Sequence, residues 1–304
     1  MKRPLPLQLC ALALSALAMT SSCVGVGTTG DQLVRFTPYA SGPPDATTPL
    51  EVEGAPGGFR VSLTRVSMRI GAVYLVEGSY NPGSQSTSCV EPGIYCAQVP
   101  GGVQANLLDP SPQEFSVFGN GTADLGQIGE IWLTGGTPTS PDINAQTDIT
   151  PIVTMTGVAT RGADSFSFQA TVTISTNRQV PVDDPALPGL NPICKQRIVQ
   201  FSPIHVQLFP GGAMHVRVDP RAWFNEVDFS APTCGTDGPP GGGACNGLQL
   251  VEKAHGSTPA LYEIPDTNES AIGQALFTGI HTGILPSGAS AYSIDYTPAS
   301  GSAP

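Results

Sequence analysis

A strict alternation of apolar and polar side chains between residues 166 and 175 constrains this chain more than any other feature. The apolar positions are Phe166, Phe168, Ala170, Val172 and Ile174. A period of two places all of them on one face of a β-strand. A second strand-like run, Ile152 to Thr160, precedes it, and the link between the runs contains Gly162, which suits a tight turn with positive φ. These runs predict a β-hairpin with one buried face.

Turn residues interrupt the apolar runs roughly every ten residues, which is the spacing typical of a β-sandwich. The chain has 36 glycines and 30 prolines in 304 residues, as many turns between regular strands require. We therefore predict an all-β protein, an antiparallel β-sandwich formed as one large or two packed units, without a parallel sheet. Alternation from Phe59 to Leu75 changes parity between Leu63 and Val66, which predicts a bulge or a bend. Phe115 to Phe118 predicts a short strand that ends at the turn Gly119 to Gly121.

The region after the first hairpin predicts a second one. Arg197 to Phe209 and Ala213 to Asp219 both alternate, and Pro210 to Gly212 would form the turn. Asp219 before Pro220 is a helix-capping pair, so Arg221 to Asn225 should form one helical turn that seats its aromatic residues in the core.

One short helix is predicted near residues 270–280. Asp266 to Glu269 has the composition of a helix cap, and Ile272, Leu276 and Ile280 follow at helical spacing. Trp132 and Trp223 are predicted to be core anchors.

The N-terminus predicts export. Residues 1–22 have a basic start and an apolar run too short to span a membrane, so they read as a signal peptide. Thr20 to Cys23 resembles the bacterial lipobox, which implies a lipid on Cys23, and Val24 then points to the outer membrane. The alternative is ordinary cleavage after Ala18. Residues 23–50 would form a flexible tether, residues 51–298 the β-sandwich body, and residues 299–304 a loose tail.

The charge of the chain limits its partners. The formal net charge is −11, and loss of Lys2 and Arg3 with the signal makes it more negative. Nucleic acid and anionic lipid are therefore not expected partners. The expected partners are the membrane, through the lipid anchor, and an envelope protein or ligand of unknown identity.

Whether the number of cysteines available for disulfides is odd or even depends on whether Cys23 carries lipid. If Cys23 carries lipid and Cys10 leaves with the signal, the remaining cysteines are odd in number: Cys89, Cys96, Cys194, Cys234 and Cys245. Cys234 and Cys245 bracket a loop rich in glycine and proline, so we predict a disulfide between them, worth about 3 kcal/mol in the chain-entropy model. The sequence leaves open whether Cys89 pairs with Cys96 or with Cys194. If Cys23 is kept unmodified, six thiols can pair completely.

The chain contains none of the common catalytic motifs, neither G-x-S-x-G, H-E-x-x-H nor a P-loop, and no G-x-G-x-x-G follows a predicted strand. The best metal candidates are His205 and His215, which the second predicted hairpin would place on one face of neighbouring strands as ligands for Cu or Zn. The alternative is two solvated histidines, and Arg217 beside them would oppose a cation. His255 and His281 are predicted to be surface residues.

Three segments resemble uncharacterised lipoproteins of the myxobacterial type: Arg65 to Leu75, Asp219 to Phe224 and Ala275 to Ile280. The order of elements in the second half is also similar to that of the exported copper-binding MbnP-like proteins, which are all-β. Relatives in that family bind copper through His and a modified Trp. Neither Trp132 nor Trp223 is followed two residues later by His, so the resemblance implies a fold and no copper ligand.

These observations lead to an ordered set of hypotheses. The first is a non-enzymatic lipoprotein of the cell envelope with a binding or structural role and no cofactor. The second is a periplasmic copper- or zinc-binding module that uses His205 and His215. The third is an enzyme whose active site has no recognisable motif.

Overall fold

The computed structural model describes residues 33–77, 94–123, 125–137, 140–142, 150–173, 193–194, 197–230, 233–234, 250–252, 261–266 and 270–299. The strands are β1 (Leu33–Ser41), β2 (Leu50–Ala55), β3 (Phe59–Ile70), β4 (Ala72–Glu77), β5 (Ile94–Val99), β6 (Val103–Asn106), β7 (Gln113–Glu114), β8 (Gly119–Thr122), β9 (Leu125–Thr137), β10 (Ser140–Asp142), β11 (Pro151–Arg161), β12 (Asp164–Thr173), β13 (Ile193–Cys194), β14 (Arg197–Gln207), β15 (Ala213–Val218), β16 (Thr233–Cys234), β17 (Leu250–Glu252), β18 (Leu261–Ile264) and β19 (Tyr292–Thr297). The helices within these described ranges are the short 3-10 helices Pro56–Gly58 and Pro220–Phe224, and α1 (Ala271–Thr282).

The strands form two mixed sheets that pack face to face around one contiguous apolar core. The larger sheet has the order β13-β14-β9-β4-β5-β8-β1-β15-β19, with β10 on β9 and β7 on β1. The smaller has the order β16-β17-β18-β12-β11-β3-β2, with β6 on β3. Because β14 also contacts β19, the larger sheet nearly closes on itself. The predicted all-β sandwich with one short helix is confirmed, and it is one large sandwich.

The first predicted hairpin is present. β11 and β12 pair antiparallel around a turn in which Gly162 has φ of +58°. Phe168, Ala170 and Val172 are buried on one face, as the alternation predicts. Ile174 lies outside the described residues.

The parity change in β3 is a β-bulge. Leu63 lies opposite Gly157 and Arg65 lies opposite Thr156, so Thr64 is the extra residue in its strand. The bulge turns Thr64 and Arg65 outward while Leu63 on one side of it stays buried. A bend follows as well, because β3 ends in the smaller sheet at Ile70 and β4 begins in the larger sheet two residues later.

The predicted absence of parallel pairing is wrong. β1 pairs with β15, β12 with β18 and β16 with β17, all in parallel. In the first of these pairs Thr37 lies opposite Ala213. Strands so distant in sequence need long connections, which local alternation does not encode.

The second predicted hairpin does not form. β14 pairs with β9 and β13, whereas β15 pairs with β1 and β19. The backbone of the predicted turn bonds to β1 instead of closing a hairpin: Gly211 N donates to Arg35 O at 2.8 Å, and Thr37 N donates to Gly212 O at 2.9 Å. Both strands therefore belong to the larger sheet, but they are not neighbours in its strand order.

The body of the protein begins earlier than predicted. β1 lies inside the span 23–50 that was predicted to be a tether, and its Val34, Phe36 and Ala40 are buried in the core. Only a segment before residue 33 can serve as the tether. Residues 1–32, which include the predicted signal and Cys23, and residues 300–304 of the predicted tail lie outside the described residues.

Both predicted helical segments are present. Asp219 caps the 3-10 helix by accepting from Arg221 N, and Trp223 and Phe224 behind it are fully buried. The cap of α1 differs from the prediction, because Ser270 accepts from Gly273 N, whereas Asp266 accepts from the backbone N–H of Thr173. No helix in the described part of the chain is long and apolar enough to cross a membrane.

α1 packs closely against the 3-10 helix that contains Trp223. A Cβ atom on Gly279 would lie 2.3 Å from the backbone oxygen of Trp223, so only glycine allows this approach. Tyr292 lies beneath the helix and donates a hydrogen bond to Ile280 O at 2.7 Å. Burial raises the pKa of the Tyr292 hydroxyl, which therefore stays protonated as the donor.

Candidate functional site

His215 lies at the centre of a polar network on the larger sheet. β15 runs between β1 and β19, with His215 opposite Tyr39 on one side and Asp295 on the other. His215 Nε2 is 2.9 Å from Ser41 Oγ, and His215 Nδ1 is 3.2 Å from an Arg217 guanidinium nitrogen. Arg217 also forms an ion pair with Asp295. The residues therefore form a continuous chain from Ser41 to Asp295.

The direction of these hydrogen bonds determines the tautomer of the His215 ring. A guanidinium only donates, so Nδ1 of His215 is the acceptor and Nε2 carries the proton, which it donates to Ser41 Oγ. Ser41 in turn donates to Gly42 O at 2.8 Å. Burial and the charge of Arg217 lower the pKa of His215, so the ring is neutral. A histidine that donates to a serine is not placed to remove the serine's proton.

The two predicted metal ligands do not lie on neighbouring strands. His205 is an exposed residue of β14, which pairs with β9, whereas β15 carries His215 between β1 and β19. The two histidines therefore do not share the face of one hairpin. In addition, Nδ1 of His215 faces the Arg217 guanidinium, which is itself a cation. Within the described ranges no group of three or more His, Cys, Asp or Glu side chains could hold a metal ion.

Arg221 joins two carboxylates at the end of the sheet where β1 and β15 finish. Its guanidinium donates to both Asp45 oxygens at 2.8 and 2.9 Å and to Asp219 Oδ2 at 2.7 Å. The hydrogen bond from Arg221 is the main reason why the pKa of Asp45 is lowered, and the two carboxylates raise the pKa of Arg221. The arginine is therefore held in one geometry by charge-assisted bonds.

A cleft of about 360 Å³ opens beside this arginine. We call it the acidic cleft, and its lining is Glu51, Val52, Glu53, Asp219, Arg221, Leu285, Pro286 and Ser287. Both glutamates contact Arg60, at 3.0 Å each, yet their side chains are 37% and 69% exposed. Carboxylates thus outnumber guanidinium groups at an open sheet edge.

This cleft was not predicted from the sequence. The available signal was the Glu51-Val52-Glu53 spacing, because residues two apart in a strand share a face. Its other wall comes from residues more than 160 positions later in the chain, which no local pattern brings near.

A second polar group lies on the face of the larger sheet that points away from the core. Glu130 is fully buried and accepts hydrogen bonds from Trp132 Nε1 at 3.1 Å and from Tyr95 OH at 3.3 Å. The Tyr74 ring packs 4.5 Å from the Trp132 ring, centroid to centroid. The prediction of a core anchor is confirmed for Trp223. Trp132 is also buried, but it lies outside the apolar core, where it donates a hydrogen bond to the Glu130 carboxylate.

Cys234 ends β16, and Cys245 lies outside the described residues, so the disulfide between them stays a prediction.

No known protein family matches the chain, and no curated protein matches it. Among solved structures, MbnP from Methylosinus trichosporium is similar at 12% sequence identity and a TM-score of 0.35, over 88% of this chain and 99% of that one. The predicted likeness to MbnP-like proteins is therefore present but weak, and a likeness of this size carries no argument about function. The resemblance to myxobacterial lipoproteins finds no support among these matches.

Proposed function

We propose that this protein is a non-enzymatic binding protein of the cell envelope, exported by its N-terminal signal and held at the outer membrane by a lipid on Cys23. The acidic cleft would bind a positively charged segment of an envelope partner. The observation that carries the proposal is the fixed Arg221 geometry beside exposed carboxylates, which gives a preorganised acidic surface rather than a flexible one.

The charges favour a basic partner. The side chains of Asp45, Glu51 and Glu53 are 66%, 37% and 69% exposed. Asp45 forms an ion pair with Arg221, and the two glutamates form ion pairs with Arg60. The whole chain carries a formal charge of −11, so its long-range field attracts cations as well. The neutral, donating state of His215 further supports a binding role over a hydrolytic one.

The binding proposal predicts that a lysine hexapeptide binds the protein and that added salt weakens this binding. The double variant Glu51→Gln and Glu53→Gln should raise the Kd about tenfold, because each exposed charge contributes up to about 1 kcal/mol. Titration calorimetry at low ionic strength measures both effects. Glu114→Gln, at an exposed glutamate of β7, removes one charge outside the cleft. It is the control for Glu51→Gln and Glu53→Gln taken singly, and it should bind as the unmodified protein does. Equal affinities of the Glu51/Glu53 variant and the unmodified protein would contradict the proposal.

The anchoring proposal predicts the behaviour of Cys23→Ala. Without a thiol to acylate, the protein should move from the outer-membrane fraction to the soluble envelope fraction, or accumulate unprocessed. Cell fractionation followed by immunoblotting measures this. Cys10→Ala, which changes a cysteine within the predicted signal, is the control and should leave the protein in the membrane. Full retention of the processed Cys23 variant in the outer-membrane fraction would show that the anchor is elsewhere.

A further inference from the structure

Two exposed apolar side chains lie together at one end of the body. Among the described residues, the large apolar side chains that are exposed are Leu33, Phe118 and Ile284, at 79%, 46% and 52%. The first two line the same open cleft of about 700 Å³, together with Val34, Pro100 and Val117. We call Leu33, Val117 and Phe118 the apolar rim.

An arginine covers part of this rim. The Arg35 guanidinium carbon lies 3.9 Å from the centre of the Phe118 ring, a cation–π contact. An exposed aromatic ring and an arginine beside aliphatic groups are the combination found where protein meets the lipid headgroups, since the apolar parts enter the acyl boundary and the charge stays among phosphates. The chemistry of the rim therefore suits a membrane interface.

Chain geometry places the rim at the end of the body nearest the predicted anchor. Ten peptide units join Cys23 to Leu33, and they span at most about 35 Å. From Leu33, β1 runs for nine residues, about 30 Å, toward Asp45 and the acidic cleft. A lipid on Cys23 thus holds the rim within about 35 Å of the bilayer, and the acidic cleft lies at the opposite end of β1.

We infer that the apolar rim docks onto the surface of the membrane that holds the Cys23 lipid. The inference rests on the proposed anchor. A membrane fits better than a protein partner, because two exposed side chains present on the order of 300 Å², whereas a stable protein interface needs about 800 Å² from each partner. A weak contact suffices when a tether holds the body close to the bilayer, since the tether makes the effective concentration high. Docking orients the acidic cleft away from the bilayer.

Photo-crosslinking of the full acylated protein in phosphatidylcholine vesicles tests the inference. The photoreactive residue p-benzoylphenylalanine replaces Phe118 in one preparation and Ile284, the third exposed apolar residue, in the control. We expect lipid adducts at least about tenfold more abundant at position 118, and a severalfold loss of those adducts when Leu33→Ser removes the neighbouring apolar group. Thermal unfolding of each variant shows that the body is intact.

Equal lipid adducts at positions 118 and 284 would overturn the inference, and so would crosslinks from position 118 to a protein in outer-membrane preparations in place of lipid. The mass of the same preparation reports whether Cys23 is acylated. Absence of the acyl group contradicts the proposed function, whereas acylated protein that gives no lipid adduct at position 118 contradicts only the docking.

Discussion

Replacing Trp223 by alanine is expected to lower the free energy of unfolding by about 4 kcal/mol, at the upper end of core substitutions. The indole is fully buried, and the 3-10 helix that carries it packs on Gly279 of α1, so the cavity cannot close without moving the helix. Urea denaturation followed by circular dichroism measures the loss.

Leu33→Ala is the control for this measurement, because Leu33 is 79% exposed, and its effect should lie within about 0.5 kcal/mol. A Trp223 variant that loses no more than the control would show that α1 and the 3-10 helix do not form part of the cooperative core.

Protonation of His281 is expected to destabilise the protein in mild acid. The sequence predicts a surface residue, but His281 is partly buried in the last turn of α1, and burial lowers its pKa to about 4. The unfolded chain, with an ordinary pKa near 6.5, binds the proton first. The contribution of His281 to stability is therefore full above pH 6.5 and is lost as the pH falls toward 4, by about 3 kcal/mol in total.

Unfolding free energies of the unmodified protein and of His281→Gln, measured between pH 7 and pH 4, test this expectation. The variant should keep about 3 kcal/mol more of its stability across that range, because glutamine does not titrate there. Asp45 also loses a stabilising interaction in acid, but it does so in both proteins and cancels in the comparison. Parallel curves for the two proteins would contradict the burial of the imidazole.

Local sequence patterns predicted correctly the features that depend on residues close together in the chain. The hairpin β11–β12 and the bulge at Thr64 follow from alternation and from one glycine in the turn. Gly119 to Gly121 is the instructive failure, because it was predicted to be a turn and forms strand β8. A Cβ atom on Gly119 would lie 2.1 Å from the Phe36 ring, so this glycine reflects close packing of β1 on β8 and not a turn. The predicted strand Phe115 to Phe118 is instead the connection between β7 and β8, which both pair with β1.

Long-range pairing explains why the candidate site could not be predicted. Arg221 and Asp45 are 176 positions apart, and the parallel pair β1–β15 brings them together. The same pairing also separates His215 from His205, because β15 joins β1 whereas β14 joins β9. The predicted hairpin would have placed the two histidines on neighbouring strands. The capping role of Asp219, by contrast, was predicted correctly because it depends on the two residues that follow it.

The mature N-terminus tests the central claim, an envelope protein held by lipid, most directly. Mass spectrometry of the protein from the outer-membrane fraction, together with its N-terminal peptide, should find residue 23 at the terminus, with acyl groups on the Cys23 sulfur. This result would also leave an odd number of cysteines for disulfides. A mature terminus at Met19, with Cys23 unmodified, would contradict the claim.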